Sequence, residues 1–211
     1  MTLSPDEVAG LGVALNEATW LGAEIDQGRR LAGLTFSTLT LPRSGSPPED
    51  RRVQVLLEPV GRVVAVHMSS DGDVMPLRLG DLLPAVQSFD GCPIYGWEFI
   101  DVPFAEPTDK SCDVTLGPAG NTHVLHVFQK GGQRGSLQLW LWFDDLILRT
   151  PTGEAIPLDE FIAGGRRWWG ALHADDARTS GAGIFPLKGD AVEQPDAADE
   201  RALGSKPRAR S

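Results

Sequence analysis

The side chains best suited to proton transfer lie around one tryptophan-rich stretch. Residues 122–129 read THVLHVFQ, with His123 and His126 three positions apart, and residues 137–145 read LQLWLWFDD, ending in the acid pair Asp144 and Asp145. An unperturbed histidine titrates at about pH 6.5 and can act as acid or base beside a carboxylate. Two histidines converging on one point could instead hold a metal ion. Backbone period decides between these uses, because residues three apart are neighbours on a helix but lie on opposite faces of a strand. The β-branched and aromatic content of THVLHVFQ predicts a strand. His126 then shares a face with Val124 and Phe128, and His123 shares the other with Leu125 and Val127. The two imidazoles cannot serve one ion in that arrangement, and no HExxH or CxxC spacing accompanies them. No metal and no other cofactor is expected.

The same period divides LQLWLWFDD into a face of Leu137, Leu139, Leu141 and Phe143 and a face of Gln138, Trp140, Trp142 and Asp144. Both faces are largely apolar. Such a strand is either covered on both sides, for instance by the final helix, or presents its tryptophans to a ligand or partner. The candidate binding residues are therefore Trp140, Trp142, Asp144, Asp145 and His126. No catalytic residue is assigned. Adjacent acids at a strand end form turns, and Asp159 and Glu160 suit the positive end of a helix dipole. GGRRWWG carries the basic and aromatic residues of a base-stacking surface, but its tryptophans fall on a helical core stripe. Cys92, in DGCPIYGW, lacks a nucleophile signature, GLGVAL and GGQRG lack the residues of phosphate loops, and SSDGD lacks calcium ligands.

These side chains need a scaffold of strands. SPDE opens the chain's first helix, with Ser4 as cap, Pro5 in the first turn and Glu7 three residues on. Residues 20–41 read as strand, turn and strand. A loop, PRSGSPPED, follows, and then RVQVLLEPVGRVVAVHMS reads as a second hairpin turning at EPVG. Asp81 can start a short helix through LLPAVQSF. PIYGWEFIDV, THVLHVFQ, SLQLWLWF and DLILRT continue as strands, with KGGQRG as a tight link. From Leu158, apolar residues recur at helical spacing through Phe161, Ile162, Gly165, Trp168, Trp169 and Leu172, so both tryptophans should pack this last helix across the sheet. The expected fold is α+β, a mostly antiparallel, strongly curved sheet or open barrel of about seven or eight strands with helices near the start, middle and end.

Composition bounds the rest. The 211 residues predict one globular domain over 1–188 and a disordered tail over 189–211, where Ala, Asp, Pro and Ser dominate. A net charge of −10 disfavours nucleic acid as a partner. No run is long and apolar enough for a membrane span, no secretory signal opens the chain, and two cysteines suit a reducing compartment, so a cytoplasmic protein is expected. Fifteen of its 19 basic residues are arginine, a usage typical of GC-rich bacterial genomes. The function these features favour is a non-enzymatic protein-binding module, adaptor or immunity-like, with another protein as partner. The alternative is a small-molecule-binding domain or enzyme whose apolar pocket lies in the curved sheet. Oligomeric state is open.

Overall fold

The chain's first element forms as its local chemistry requires. In the computed structural model, which describes residues 3–89, 94–100, 106–118, 121–131 and 135–179, the hydroxyl of Ser4 accepts the Glu7 amide at 3.3 Å. The Glu7 carboxylate in turn accepts the Ser4 amide at 2.7 Å, closing a capping box that starts α1 (Pro5–Ala14). Two further helices follow, α2 (Leu82–Gln87) and α3 (Leu158–His173). A 3-10 turn (Leu79–Asp81) leads into α2.

The strands build two antiparallel sheets. The first holds, in order, β1 (Thr19–Asp26), β2 (Leu31–Ser37), β3 (Arg52–Glu58), β10 (Asp145–Arg149) and β11 (Ala155–Ile156). The second runs β5 (Val74–Met75), β4 (Arg62–Met68), β9 (Ser136–Phe143), β8 (His123–Lys130) and β6 (Ile94–Ile100), and β7 (Cys112–Thr115) also pairs with β4. The α+β class and the antiparallel pairing are as expected. The single curled sheet or open barrel of seven or eight strands is not: among the described residues eleven strands divide between two sheets, and neither closes on itself.

The reason lies at EPVG, which turns a corner instead of reversing the chain. β3 pairs with β2 and β10, while β4 pairs with β9, so the expected hairpin between them does not form. Residues 52–68 and 136–149 instead run side by side, antiparallel, and both change sheet at the same place. Glu58 faces Asp145 on one side of the corner and Arg62 faces Trp142 on the other. The Gly61 amide donates to the Trp142 carbonyl at 2.9 Å across it. Strands that switch sheets at bends form the corners by which one sheet can pass into another, and Pro59, with no N–H to give a ladder, suits the break.

The concavity expected inside a curved sheet is thus a packed interior. Leu34, Phe36, Val55 and Leu57 from the first sheet meet Ala65, Leu125, Leu139 and Leu141 from the second, in one cluster that also takes Leu11 of α1, Leu82 and Val86 of α2, and Phe161 and Ile162 of α3. The last helix packs differently from the expectation. It crosses α1, not the sheet, because Gly165 lets its backbone meet Ala14, where a Cβ would stand 2.5 Å from the Ala14 Cα. Trp168 is buried in a separate small cluster with Leu41 and Ala171. Trp169 is only half-buried, and its indole N–H donates to the Val13 carbonyl at 3.0 Å. No described helix is long and apolar enough to cross a membrane. Cys92 and the expected tail, residues 189–211, lie outside the described residues.

Candidate functional site

The tryptophan strand divides its faces as its alternation predicts. Leu137, Leu139, Leu141 and Phe143 enter the main core, while Trp140 and Trp142 stand on the outer face of the six-stranded sheet. Across that face Val64, Trp140, His126 and Glu98 lie abreast, with Arg62, Trp142 and Val124 in the neighbouring row. The His126 ring is stacked on the Trp140 indole, 4.4 Å between centroids and 4° from parallel. Its Nδ1 lies 3.2 Å from Glu98 Oε1, and its Nε2 is buried with no hydrogen-bond partner among the described residues. Trp140 is 6% exposed. His123 takes the opposite face, where its buried Nε2 accepts the Leu3 amide at 3.1 Å and so ties down the segment before α1.

Charges on the tryptophan face are engaged with one another. The Arg62 guanidinium sits 4.8 Å above the Trp142 ring and binds Glu106 at 2.7 Å and Asp113 at 2.8 Å. Lys110 bonds the same two carboxylates, each at 2.9 Å. Hydrogen bonding to Arg62 holds the Asp113 carboxyl far below the ordinary carboxylate range, and Arg62 itself is driven further toward its charged form. α3 is not the layer over this face, since it packs on α1 and the Leu41 segment.

The five candidate residues therefore separate. His126 and Trp140 touch, and Trp142 is their neighbour in the next row. Asp144 sits at the corner, where its Oδ1 accepts the Thr122 amide at 2.8 Å and hydroxyl at 3.1 Å, fixing the loop before β8. Asp145 pairs with Glu58 in the other sheet. The helix-start acid Glu160 is held by Arg167 at 2.6 Å and Arg43 at 3.3 Å. Cys112 is half-buried, and burial raises its thiol pKa, which works against a thiolate nucleophile. Among the described residues no group of three His, Cys, Asp or Glu side chains could hold a metal ion.

A groove on the opposite side of the molecule was not legible as a site. On the outer face of the five-stranded sheet, Glu24, Gly33, Leu56 and Ile147 lie abreast, and Gly22, Thr35, Gln54 and Arg149 form the adjoining row. Leu79, Gly80 and Leu83, from the 3-10 turn and α2, wall this floor to give a trough of about 550 Å³. Gly22 makes the approach of α2 close, since a Cβ there would stand 3.1 Å from Leu83 Cδ1. Gly33 leaves the middle of the floor bare: a Cβ there would meet only Leu56 Cδ2, at 3.5 Å.

Leu31, Thr35, Gln54, Leu56 and Leu83 are half-buried and Glu24 and Asp26 are exposed, so the trough opens to solvent. Its charged lining residues are both acidic. Asp26 belongs to the hairpin turn, accepting the Arg29 amide at 2.9 Å. Glu24 makes no ion pair or hydrogen bond among the described residues. The one sequence signal of this surface was the glycine in the middle of each of two adjacent strands, a position that often marks the close approach of another group. No protein-family model, no curated protein and no solved structure matches this chain, so both surfaces stand on their own chemistry.

Proposed function

We propose that this chain is a non-enzymatic protein-binding module whose recognition surface is the groove on the five-stranded sheet. One observation carries the reading: half-buried Leu31, Leu56 and Leu83 surround a bare floor at Gly33, open to solvent, beside the Glu24 carboxylate, which makes no ion pair or hydrogen bond among the described residues. Partly exposed apolar surface of this kind gains free energy when a partner covers it. The polar groups among it, Thr35, Gln54 and Glu24, would set orientation. Glu24 and Asp26 are two residues apart on one strand, so their carboxylates face the same way from backbone positions roughly 7 Å apart, with no imidazole or thiol lining the groove between them. That arrangement suits recognition better than proton transfer. On this proposal the tryptophan face, with Trp140 covered by His126 and Trp142 beneath Arg62, is a packed support.

Photo-crosslinking tests the reading. A benzoylphenylalanine placed at Thr35 or Gln54 should give a discrete polypeptide adduct in host extract, and the same group at exposed Gly170 on α3 should not. Equal labelling from all three positions would refute it. A second reading, a small ligand in the same groove, is favoured by the volume of about 550 Å³, within the roughly 300–1,000 Å³ typical of ligand pockets. Native mass spectrometry would support that reading if the wild-type protein carried an extra small mass that Gly33→Val lost.

A further inference from the structure

Resting on the groove as recognition surface, we infer that its occupant is an extended segment of a partner protein in which an arginine or lysine is flanked by apolar residues. The cation sits on Glu24. The charged residues that line the groove are Glu24 and Asp26. Asp26 lies 3.7 Å from the Arg29 guanidinium, and Arg149 stands at the far end of the adjoining row, three strands from β1. Glu24 is thus the lining carboxylate left without an ion pair among the described residues, in a chain that carries a charge of −10. A basic segment is therefore drawn to this face, and an acidic one is repelled.

Desolvation makes the demand specific. Covering the floor with a wholly apolar partner would take Glu24 out of water without a partner for its charge, at a desolvation cost that offsets the gain from the leucine contacts. An arginine or lysine head group removes that cost through a charge-assisted hydrogen bond. Its methylene stem needs apolar surface to lie on, and the row next to Glu24 supplies it: Gly33 has no side chain to obstruct the stem, and Leu56 lies directly beyond. Leu31 on one side and the wall of Leu79 and Leu83 on the other take the flanking apolar side chains. A small amine would satisfy Glu24 but leave those leucines uncovered.

The test is fluorescence anisotropy of the full chain with a short labelled peptide that alternates leucine and arginine between serine ends, compared with counterparts carrying glutamine or glutamate in place of arginine. The arginine peptide should bind. Glu24→Gln should weaken it by about tenfold or more, the loss of one charge-assisted contact. Gly33→Val, which alters no charge and fills the floor, should abolish it while the far-ultraviolet spectrum and cooperative melt are retained. Binding that survives Gly33→Val would show adhesion to an acidic surface and overturn the inference. Glutamine or glutamate peptides that bind as tightly, and are lost in Gly33→Val, would leave the groove as the recognition surface and overturn its preference for a cation. Failure of every peptide to bind would also overturn the inference, and the crosslinks from Thr35 and Gln54 would decide the groove separately.

Discussion

Replacing Gly165 by alanine should destabilise the protein although alanine is the better helix former. A Cβ built at Gly165 stands 2.5 Å from Ala14 Cα, 2.7 Å from Ala14 Cβ and 3.2 Å from Ala14 N. Non-bonded carbons rest at about 3.5–4.0 Å, so α1 and α3 must separate by about 1 Å. Backbone atoms of a neighbouring helix cannot rotate away as a side-chain tip can. Overpacking of this kind costs about 1–3 kcal/mol, and the same shift loosens Leu11, Phe161 and Ile162, which share the main core. Against this stands a gain of about 1 kcal/mol from helix propensity. The net expectation is a loss of up to about 2 kcal/mol, or a melting temperature lower by up to about 4–8 °C for a domain of this size. Gly170→Ala, in the same helix with nothing within 4 Å of its Cβ, should instead gain from propensity alone and melt about 2–4 °C higher. Thermal melts of the two variants beside the wild type give the answer. If Gly165→Ala melted higher along with Gly170→Ala, the close crossing of α1 and α3 would be refuted.

Three other perturbations separate packing from recognition. Trp140→Ala should cost about 3–5 kcal/mol by chemical denaturation, because the indole is 6% exposed and stacked on His126; an unchanged midpoint would identify it as a surface anchor instead. Gly33→Val should leave stability equal or raise it by about 1 kcal/mol, since valine suits a strand and its Cβ meets only an ordinary contact; a marked loss would show that the groove floor is not bare. The carboxyls of Asp113 and Glu106 are held below their ordinary values by Arg62, so their contribution is fully present above about pH 5, beyond both ordinary values, and fades as acid is added toward the lowered ones. Asp113→Asn should flatten that limb of the melting temperature against pH, and parallel profiles would exclude a stabilising role for the ring of charges.

What the sequence discloses tracks how locally each feature is determined. SPDE specifies α1 within four residues, because a capping box is completed by its own neighbours. The hairpin of β8 and β9, the opposite faces of His123 and His126 and the two faces of the tryptophan strand follow from period alone. EPVG is different. A proline and glycine between two strands mark a break, and whether the chain reverses or turns a corner there depends on β2, β9 and β10 as rival partners. The extent of both sheets was further hidden by β5 and β7 in the second and β11 in the first, which at two to four residues show almost no alternation. α3 has the expected period, yet its cover is another helix, which Gly165 admits only because Ala14 is also small. The groove exists because Leu83, distant in sequence, leans on Gly22, so no local pattern could have announced it.

On the proposal made for the groove, tryptophan content is a poor guide to which face of this molecule meets a partner. On the six-stranded sheet, Arg62 covers Trp142 and is held by Glu106 and Asp113, while His126 covers Trp140 and faces Glu98. A partner arriving there must displace contacts already made, and each displaced charge would need a new one of equal quality. On the five-stranded sheet the balance is reversed. The leucines are half-exposed, the floor at Gly33 is bare, and among the described residues Glu24 has no counter-charge to surrender. A segment that brings its own cation gains there without breaking an existing ion pair at Glu24. That carboxylate, unpaired among the described residues, supports the groove more than any aromatic does as the proposed recognition surface.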